Sequence, residues 1–228
     1  MERSVARREI KYLLDLRCAE NLRSELLKLL AIDSNGSESG YIVRSLYFDT
    51  IYDNDYYDKI DGLETRRKIR LRIYTPEDKT AKLEVKEKVG DNQWKRSATI
   101  SREDVQLVIS GRYSELFGKY DSPFLQMLFY KMETECYRPK TIIEYNRLAF
   151  MNQANETRIT FDSSLRATES NFDLFSAQLP LYPILYPVVL EVKYRHFLLS
   201  YIKHALDMAD QAPISISKYC LGRQISLC

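Results

Sequence analysis

The chain has 228 residues, of which 45% are hydrophobic and 29% charged, so it can bury a core and is not a disordered segment. Its formal net charge is only +2, which excludes the global basic excess of a non-specific nucleic-acid binder and makes any anion site local. With 7 glycines and 2 histidines, a glycine-rich phosphate loop and a histidine-rich metal site are both disfavoured.

Glu9–Leu14 reads as a first short strand. Leu16, Ala19, Leu22, Leu26, Leu29 and Leu30 recur at helical spacing, so Asp15–Ile32 reads as a helix with Asp15 as its cap. Residues 33–40 (DSNGSESG) have the composition of a loop. Tyr41–Asp49 reads as a strand and Thr50–Lys59 as a short helix capped by Thr50. Glu64–Tyr74, Ala81–Lys88 and Trp94–Ile100 read as three antiparallel strands joined by turns. Ser101–Ser110 opens a helix with Ser101 and Asp104 as capping residues, and a helical stretch runs on to about Met132, broken near Gly111 and Pro123. Thr141–Phe150, Thr157–Asp162 and Val188–Arg195 are three more strands. Phe197–Gln211 is an amphipathic helix, and Ser217–Leu221 starts a last turn or helix. Many strands with helices at the ends and in long crossovers imply an α+β fold in a single domain, residues 1–228.

The strands share a pattern. Arg66, Lys68, Arg70 and Arg72 alternate with a mostly apolar set, and side chains on a strand point to opposite faces in turn. The same alternation places Lys82, Glu84, Lys86 and Lys88 on one face, and likewise Glu191, Lys193 and Arg195. It recurs in Arg158, Thr160 and Asp162, and in Glu9 and Lys11. One such strand usually turns its charges to water. Five of them, mainly basic with carboxylates at similar offsets, suit a curved or closed sheet whose concave face holds a polyanion and a metal.

Arg and Lys match phosphate chains, Arg through its planar fork and Lys as a point charge. Arg70, Arg72, Lys86, Lys95, Arg147, Arg158, Lys193 and Lys218 are spread over most of the strands, so convergence would line a channel. Glu9, Glu84 and Glu191 would either compensate that charge or bind a metal through hard oxygen ligands. Phosphoryl transfer in such a channel needs positioning and charge stabilisation, with no His or Cys nucleophile. The P-loop, dinucleotide-binding and nucleophile-elbow patterns are absent. His204 reads as surface or packing, and His196 follows the basic strand directly. Tyr47, Tyr145 and Tyr219 read first as packing residues. Cys18, Cys136, Cys220 and Cys228 have no metal spacing and read as reduced thiols. The start of the chain lacks a signal-peptide run and no stretch approaches the ~18–20 apolar residues of a membrane span, so the expected location is cytoplasmic. A membrane-protein partner and the oligomeric state stay open.

Taken in order, the motifs resemble the VTC domain, the polyphosphate polymerase core of the vacuolar transporter chaperone complex and a member of the triphosphate tunnel metalloenzymes (CYTH-like superfamily), in its bacterial form. The resemblance runs through REIKYLL (Arg8–Leu14), SLYFDT (Ser45–Thr50), KIRLRIY (Lys68–Tyr74) and KLEVKEKVGDNQWKRS (Lys82–Ser97). It continues through IIEYNRLAF (Ile142–Phe150), RITFDSSLRA (Arg158–Ala167), VVLEVKY (Val188–Tyr194) and SISKYCLG (Ser215–Gly222). It implies an antiparallel β-barrel tunnel with flanking helices. It also implies Mn²⁺ or Mg²⁺, and transfer of the γ-phosphate of ATP to a growing polyphosphate chain. By the same resemblance Arg70 and Arg72 are the R-x-R clamp, and Lys86 and Lys193 complete the catalytic set. Lys11, Lys95, Arg147, Arg158 and Lys218 bind phosphate or nucleotide, and Glu191 holds the metal. The family often carries a second lysine about one turn before Lys218; here Ser215 stands there. Glu144 and Arg147 are an odd number of positions apart, so in a regular strand only one faces the lumen, and Arg147 is the one expected there. Two alternatives stay open: a metal-dependent inorganic or nucleoside triphosphatase of the same fold, acting on triphosphate or pyrophosphate, and a non-catalytic polyphosphate- or nucleotide-binding module.

Overall fold

The alternating segments do form strands, and the strands form one sheet. The structure is a computed structural model and describes residues 8–34, 36–90, 92–153, 155–185, 187–207 and 211–225. Its strands are β1 (Arg8–Leu14), β2 (Ala31–Ile32), β3 (Tyr41–Thr50), β4 (Arg66–Ile73) and β5 (Thr80–Val89). They continue as β6 (Asn92–Ser101), β7 (Tyr137–Asn152), β8 (Thr157–Thr168), β9 (Tyr182–Leu185) and β10 (Val188–Tyr194). The main path is β1-β10-β8-β7-β3-β4-β5-β6, with β2 joined to β7 and β9 to β8. Every pairing is antiparallel.

The sheet curls into a half-barrel with flanking helices, an α+β architecture. Its two ends approach one another: Lys86 of β5 reaches Glu9 of β1 at 3.2 Å, although β1 and β5 share no ladder. The helices are α1 (Leu16–Leu29), α2 (Asn54–Ile60), α3 (Arg102–Ile109), α4 (Pro123–Thr134), α5 (Ser200–Asp207) and α6 (Lys218–Arg223), with a 3₁₀ turn at Tyr113–Leu116.

Two apolar clusters glue helices to the convex face. Leu22 and Leu26 of α1 and Ile202 of α5 pack on Phe150, Ile159, Leu190 and Val192. Val105 and Val108 of α3 and Leu125 and Phe129 of α4 pack on Leu46, Ile69, Leu71 and Leu83. Burying each such side chain contributes about 1.5–3 kcal/mol. The third cluster lies on the opposite, concave face, where Tyr219 and Cys220 of α6 meet Val43, Tyr47, Ile143, Tyr145, Leu165 and Ala167. α6 therefore closes over the end of the lumen formed by the last residues of β3 and the first of β7.

Several boundaries differ from the sequence reading, each for a local reason. Asp15 caps α1 by accepting a hydrogen bond from the Cys18 N–H at 2.7 Å. The helix stops at Leu29, because Ala31 and Ile32 pair with Met151 and Phe150 as strand β2. Thr50 ends β3, and α2 starts only at Asn54, but the Thr50 hydroxyl still accepts from the Asn54 N–H at 3.2 Å, at the helix's first residue. Asp49 explains this: its carboxylate accepts from the N–H groups of Thr50, Asp55 and Tyr56, fixing the turn before the helix. Ser101 caps α3 through the Asp104 N–H, while the Asp104 carboxylate is taken by Lys119 and Tyr120. β9 had no sequence signal. The predicted C-terminal helix reduces to Ser200–Asp207, with Gln211 outside it and residues 208–210 outside the described set.

One bulge decides which residues line the lumen. β7 and β8 shift register between Glu144 and Asn146, and Ser164 takes a left-handed conformation with φ 53°. The extra residue restores the face of β8, so Asp162, Leu165 and Ala167 all stay concave. Glu144 ends on the opposite side from Arg147. It binds Arg44 at 2.7 Å and Arg166 at 2.6 Å beneath the chain around Leu174.

Candidate functional site

The concave face gathers the basic residues of β1, β4, β5, β6, β7, β8 and β10. Pairing puts them in rows: Lys11 faces Glu191, Glu9 faces Lys193, and Lys193 faces Arg158. Arg147 faces Asp162, Lys68 faces Lys86, Arg70 faces Glu84, and Lys86 faces Lys95. Lys218 enters from α6. Every site residue expected from the sequence therefore projects into the same lumen: Glu9, Lys11, Arg70, Arg72, Glu84, Lys86, Lys95, Arg147, Arg158, Glu191, Lys193 and Lys218.

The charges organise around carboxylates. Glu84 is buried and accepts from Arg70 through two nitrogens at 2.8 and 2.7 Å, with Arg72 at 3.7 Å and Lys95 on its other oxygen. Burial alone would raise its pKa, but Arg70, Arg72 and Lys95 overcome this and hold it at about 2. Asp162 is fully buried and takes Arg147 in a two-pronged pair at 2.6 and 2.7 Å, with Lys218 at 2.7 Å. Against its desolvation, Lys218 and Arg147 keep its carboxyl below the usual range. Glu191 pairs with Lys193, and Lys193, Lys11, Lys218 and Arg147 together outweigh burial and push its pKa well down. Glu9 sits between Lys11 at 3.1 Å and Lys86 at 3.2 Å.

Polar side chains buttress the bases. The Tyr47 hydroxyl accepts from Arg70 at 3.1 Å, and the Ser45 hydroxyl accepts from Arg72 at 3.3 Å. The Tyr145 ring lies under both Arg147 and Lys218, at 5.2 and 5.0 Å. Tyr219 stacks on the Tyr47 ring at 5.4 Å and donates to Asp49 at 2.6 Å, tying α6 to the wall. Arg158 bonds Asp33 at 2.9 Å and the Tyr41 hydroxyl at 3.3 Å.

Lys68 belongs to the site although the motifs did not assign it a role. It donates to Ser217 at 2.8 Å, and burial pulls its pKa down to about 7, with Lys11, Lys86 and Lys59 adding to the shift. The signal available was its place in the alternation with Arg70 and Arg72. Asp162 and Asp33 were likewise not assigned, and only the first shares a strand pattern with a predicted base. At Ser215 the structure still supplies an ammonium, because Lys59 of α2 donates to its hydroxyl at 2.8 Å. His196 and His204 are exposed on the outer side of the chain and touch none of these groups.

The residues fit a divalent cation in one place. Among the described residues no three metal-ligating side chains cluster together. Glu9 and Glu191, however, lie on neighbouring strands and feel one another: burial and the Glu191 charge push the Glu9 pKa up, but Lys86, Lys11 and Lys193 outweigh them and hold it below the usual carboxylate range. Two carboxylates completed by phosphate oxygens and water are an ordinary set for Mg²⁺. Glu84 offers less, since it is buried under three cations, Arg70, Arg72 and Lys95, whereas Glu9 carries only the two lysines Lys11 and Lys86.

A curled antiparallel sheet with a charge-lined lumen defines the class: this is the triphosphate tunnel fold. Two solved structures superpose over nearly their whole length. A candidate adenylate cyclase from Bacillus halodurans matches with a TM-score of 0.54 at 10% identity, over 95% of both chains. A candidate adenylate cyclase from Vibrio parahaemolyticus gives 0.52 at 11% identity, over 96% of this chain and 98% of its own. The particular family follows from the sequence itself: the VTC domain model matches residues 6–227, and the chain belongs to that family. No curated protein matches it. Tunnel metalloenzymes of this fold generally use divalent cations. Among the described residues no helix is long and apolar enough to cross a membrane.

Proposed function

We propose that this chain is one VTC-type domain that transfers the γ-phosphate of ATP to the end of a polyphosphate chain inside its lumen. The observation that carries the reading is the convergence of Arg70, Arg72, Lys86, Lys193, Arg147 and Lys218 on one concave face in a member of the VTC family.

In this reading a terminal oxygen of the polymer attacks the γ-phosphorus, and the bond from that phosphorus to the β–γ bridging oxygen breaks. ADP leaves with the electron pair. Phosphoryl transfer of this kind is a matter of alignment and charge stabilisation. Arg70 and Arg72 are held in place by Glu84, Tyr47 and Ser45, so their guanidinium groups meet the phosphates already oriented. Lys86 and Lys193 compensate the charge that moves to the leaving group, and Lys11, Lys95, Arg147, Arg158 and Lys218 hold the rest of the phosphates. Glu191 and Glu9 would hold the Mn²⁺ or Mg²⁺, which when bound neutralises phosphate oxygens. Glu84 serves instead as the internal counter-anion of the clamp.

The test is to incubate the purified chain with ATP and Mn²⁺ or Mg²⁺ and size the product on a polyphosphate-stained gel. Long polymer is the expected result. Orthophosphate without polymer would replace this reading with a triphosphatase, and tight binding without turnover would replace it with a sensor.

A further inference from the structure

The two ends of the lumen are chemically unlike. One carries α6 and the stretch before it, where the Ile214 N–H donates to the Lys11 carbonyl and Lys59 holds Ser215. The other is formed by the first residues of β3 and β8 and the last of β4, and its rim is aromatic. Tyr41 and Tyr74 stand with ring centroids 6.0 Å apart, tilted 57°. Tyr74 is 38% exposed. Tyr41 opposes Arg147 across β3 and β7, and its hydroxyl accepts from Arg158. Lys82 rests over the Tyr74 ring at 5.5 Å.

A bare polyphosphate gains nothing from the exposed ring face of Tyr74, which stands beside the half-buried Tyr41. A nucleobase does, because every base has a π-face, and stacking on an aromatic side chain is a sequence-tolerant source of affinity. We infer that Tyr41 and Tyr74 form the nucleobase subsite of the tunnel. The base of the nucleoside triphosphate stacks on Tyr74 at this rim, and its phosphates run inward past Arg158 and Arg147. This rests on the reading of a nucleoside triphosphate as donor. The contact of Lys82 with the ring is of the weak, exposed kind, so the base displaces the ammonium, which then turns to the nearest phosphate. The donor thus enters with its base at the Tyr41 rim and its γ-phosphate toward α6.

Calorimetry of the full chain with Mg²⁺ tests this, comparing ATP with ribose 5-triphosphate, which keeps the sugar and phosphates and lacks the base. The wild type is expected to bind ATP about tenfold more tightly than the base-free compound, in line with one stacked base. Tyr74→Ala should abolish that difference and leave ribose 5-triphosphate within about twofold, while Tyr74→Phe keeps it. Equal affinity of the wild type for both compounds, or equal weakening of both by Tyr74→Ala, overturns the subsite. A wild type that prefers ATP but makes no polymer would instead sink the polymerase reading and leave the subsite standing.

Discussion

Replacing Glu84 with Gln removes the anion around which the clamp is built. The carboxylate is almost wholly buried and carries Arg70 in a two-nitrogen pair, Arg72 at 3.7 Å and Lys95. Its pKa falls from an ordinary 4.5 to about 2 in the folded chain. At 1.36 kcal/mol per unit, the folded state therefore favours the ionised form by about 3 kcal/mol. That agrees with the ~3–5 kcal/mol lost when one partner of a buried ion pair is deleted. For a domain of this size it lowers Tm by roughly 6–12 °C. The sign of the pH dependence is fixed. A depressed carboxyl pKa stabilises above the unfolded value, so the contribution is complete above pH 4.5 and disappears as pH falls through about 2. Thermal melts of wild type and Glu84→Gln by circular dichroism, from pH 7 down to pH 3, should show a gap that is widest at neutral pH and narrows below 4.5. Inorganic triphosphate should narrow it at neutral pH too, because the ligand replaces the missing anion. A variant that melts within 2 °C of wild type at pH 7 would refute the idea that the lumen's bases depend on internal carboxylates.

Arg72→Ala and Glu191→Gln should each lower turnover on the order of 10²–10³-fold while the far-ultraviolet spectrum stays native, and an unchanged rate in either would remove the phosphate clamp from the chemistry. Lys68, with its pKa near 7, should take up a proton when a polyphosphate binds. Affinity should therefore rise as pH falls from about 9 to 7 and level off below, and calorimetry in buffers of different ionisation heat should detect the proton uptake in wild type but not in Lys68→Met. Gly40→Ala should destabilise the fold by about 1–3 kcal/mol in urea, because Gly40 has φ +79° and a Cβ there would lie 2.7 Å from the Arg147 carbonyl oxygen.

The lumen was legible because strands have a period of two. Once Arg70 and Arg72 sit on one face, Lys68 must join them, and the pairing with β5 brings Glu84 and Lys86 alongside. What the period cannot report is the partner of each charge. Nothing in the motif around Arg158 announces Asp33, which reaches it from the loop after β2. Nor does the strand carrying Glu84 reveal that three cations surround it. The parity of Glu144 against Arg147 was readable, but the bulge at Ser164 that preserves the face of β8 was not, since serine in a strand carries no bulge signal. Helix starts failed where side chains captured backbone donors, as Asp49 does ahead of α2.

The same carboxylates reconcile a net charge of +2 with a strongly basic lumen. Guanidinium and ammonium groups crowded in a half-barrel lose water and repel one another: burial lowers the Lys86 and Lys95 pKa values, and the neighbouring cations, Lys11 and Lys193 for the first and Arg70 and Arg72 for the second, lower them further. Glu9, Glu84, Asp162 and Glu191 offset that cost from within the wall, each bound to at least one base. A polyphosphate entering such a lumen does not simply add contacts. It competes with these carboxylates for the same donors, so part of each new phosphate interaction replaces an internal one, and net affinity per phosphate is modest. Modest affinity at every position is what lets a long chain slide through a tunnel rather than lodge in it. On the polymerase reading we propose, carboxylates spaced along the wall both hold the bases in position and keep the product moving.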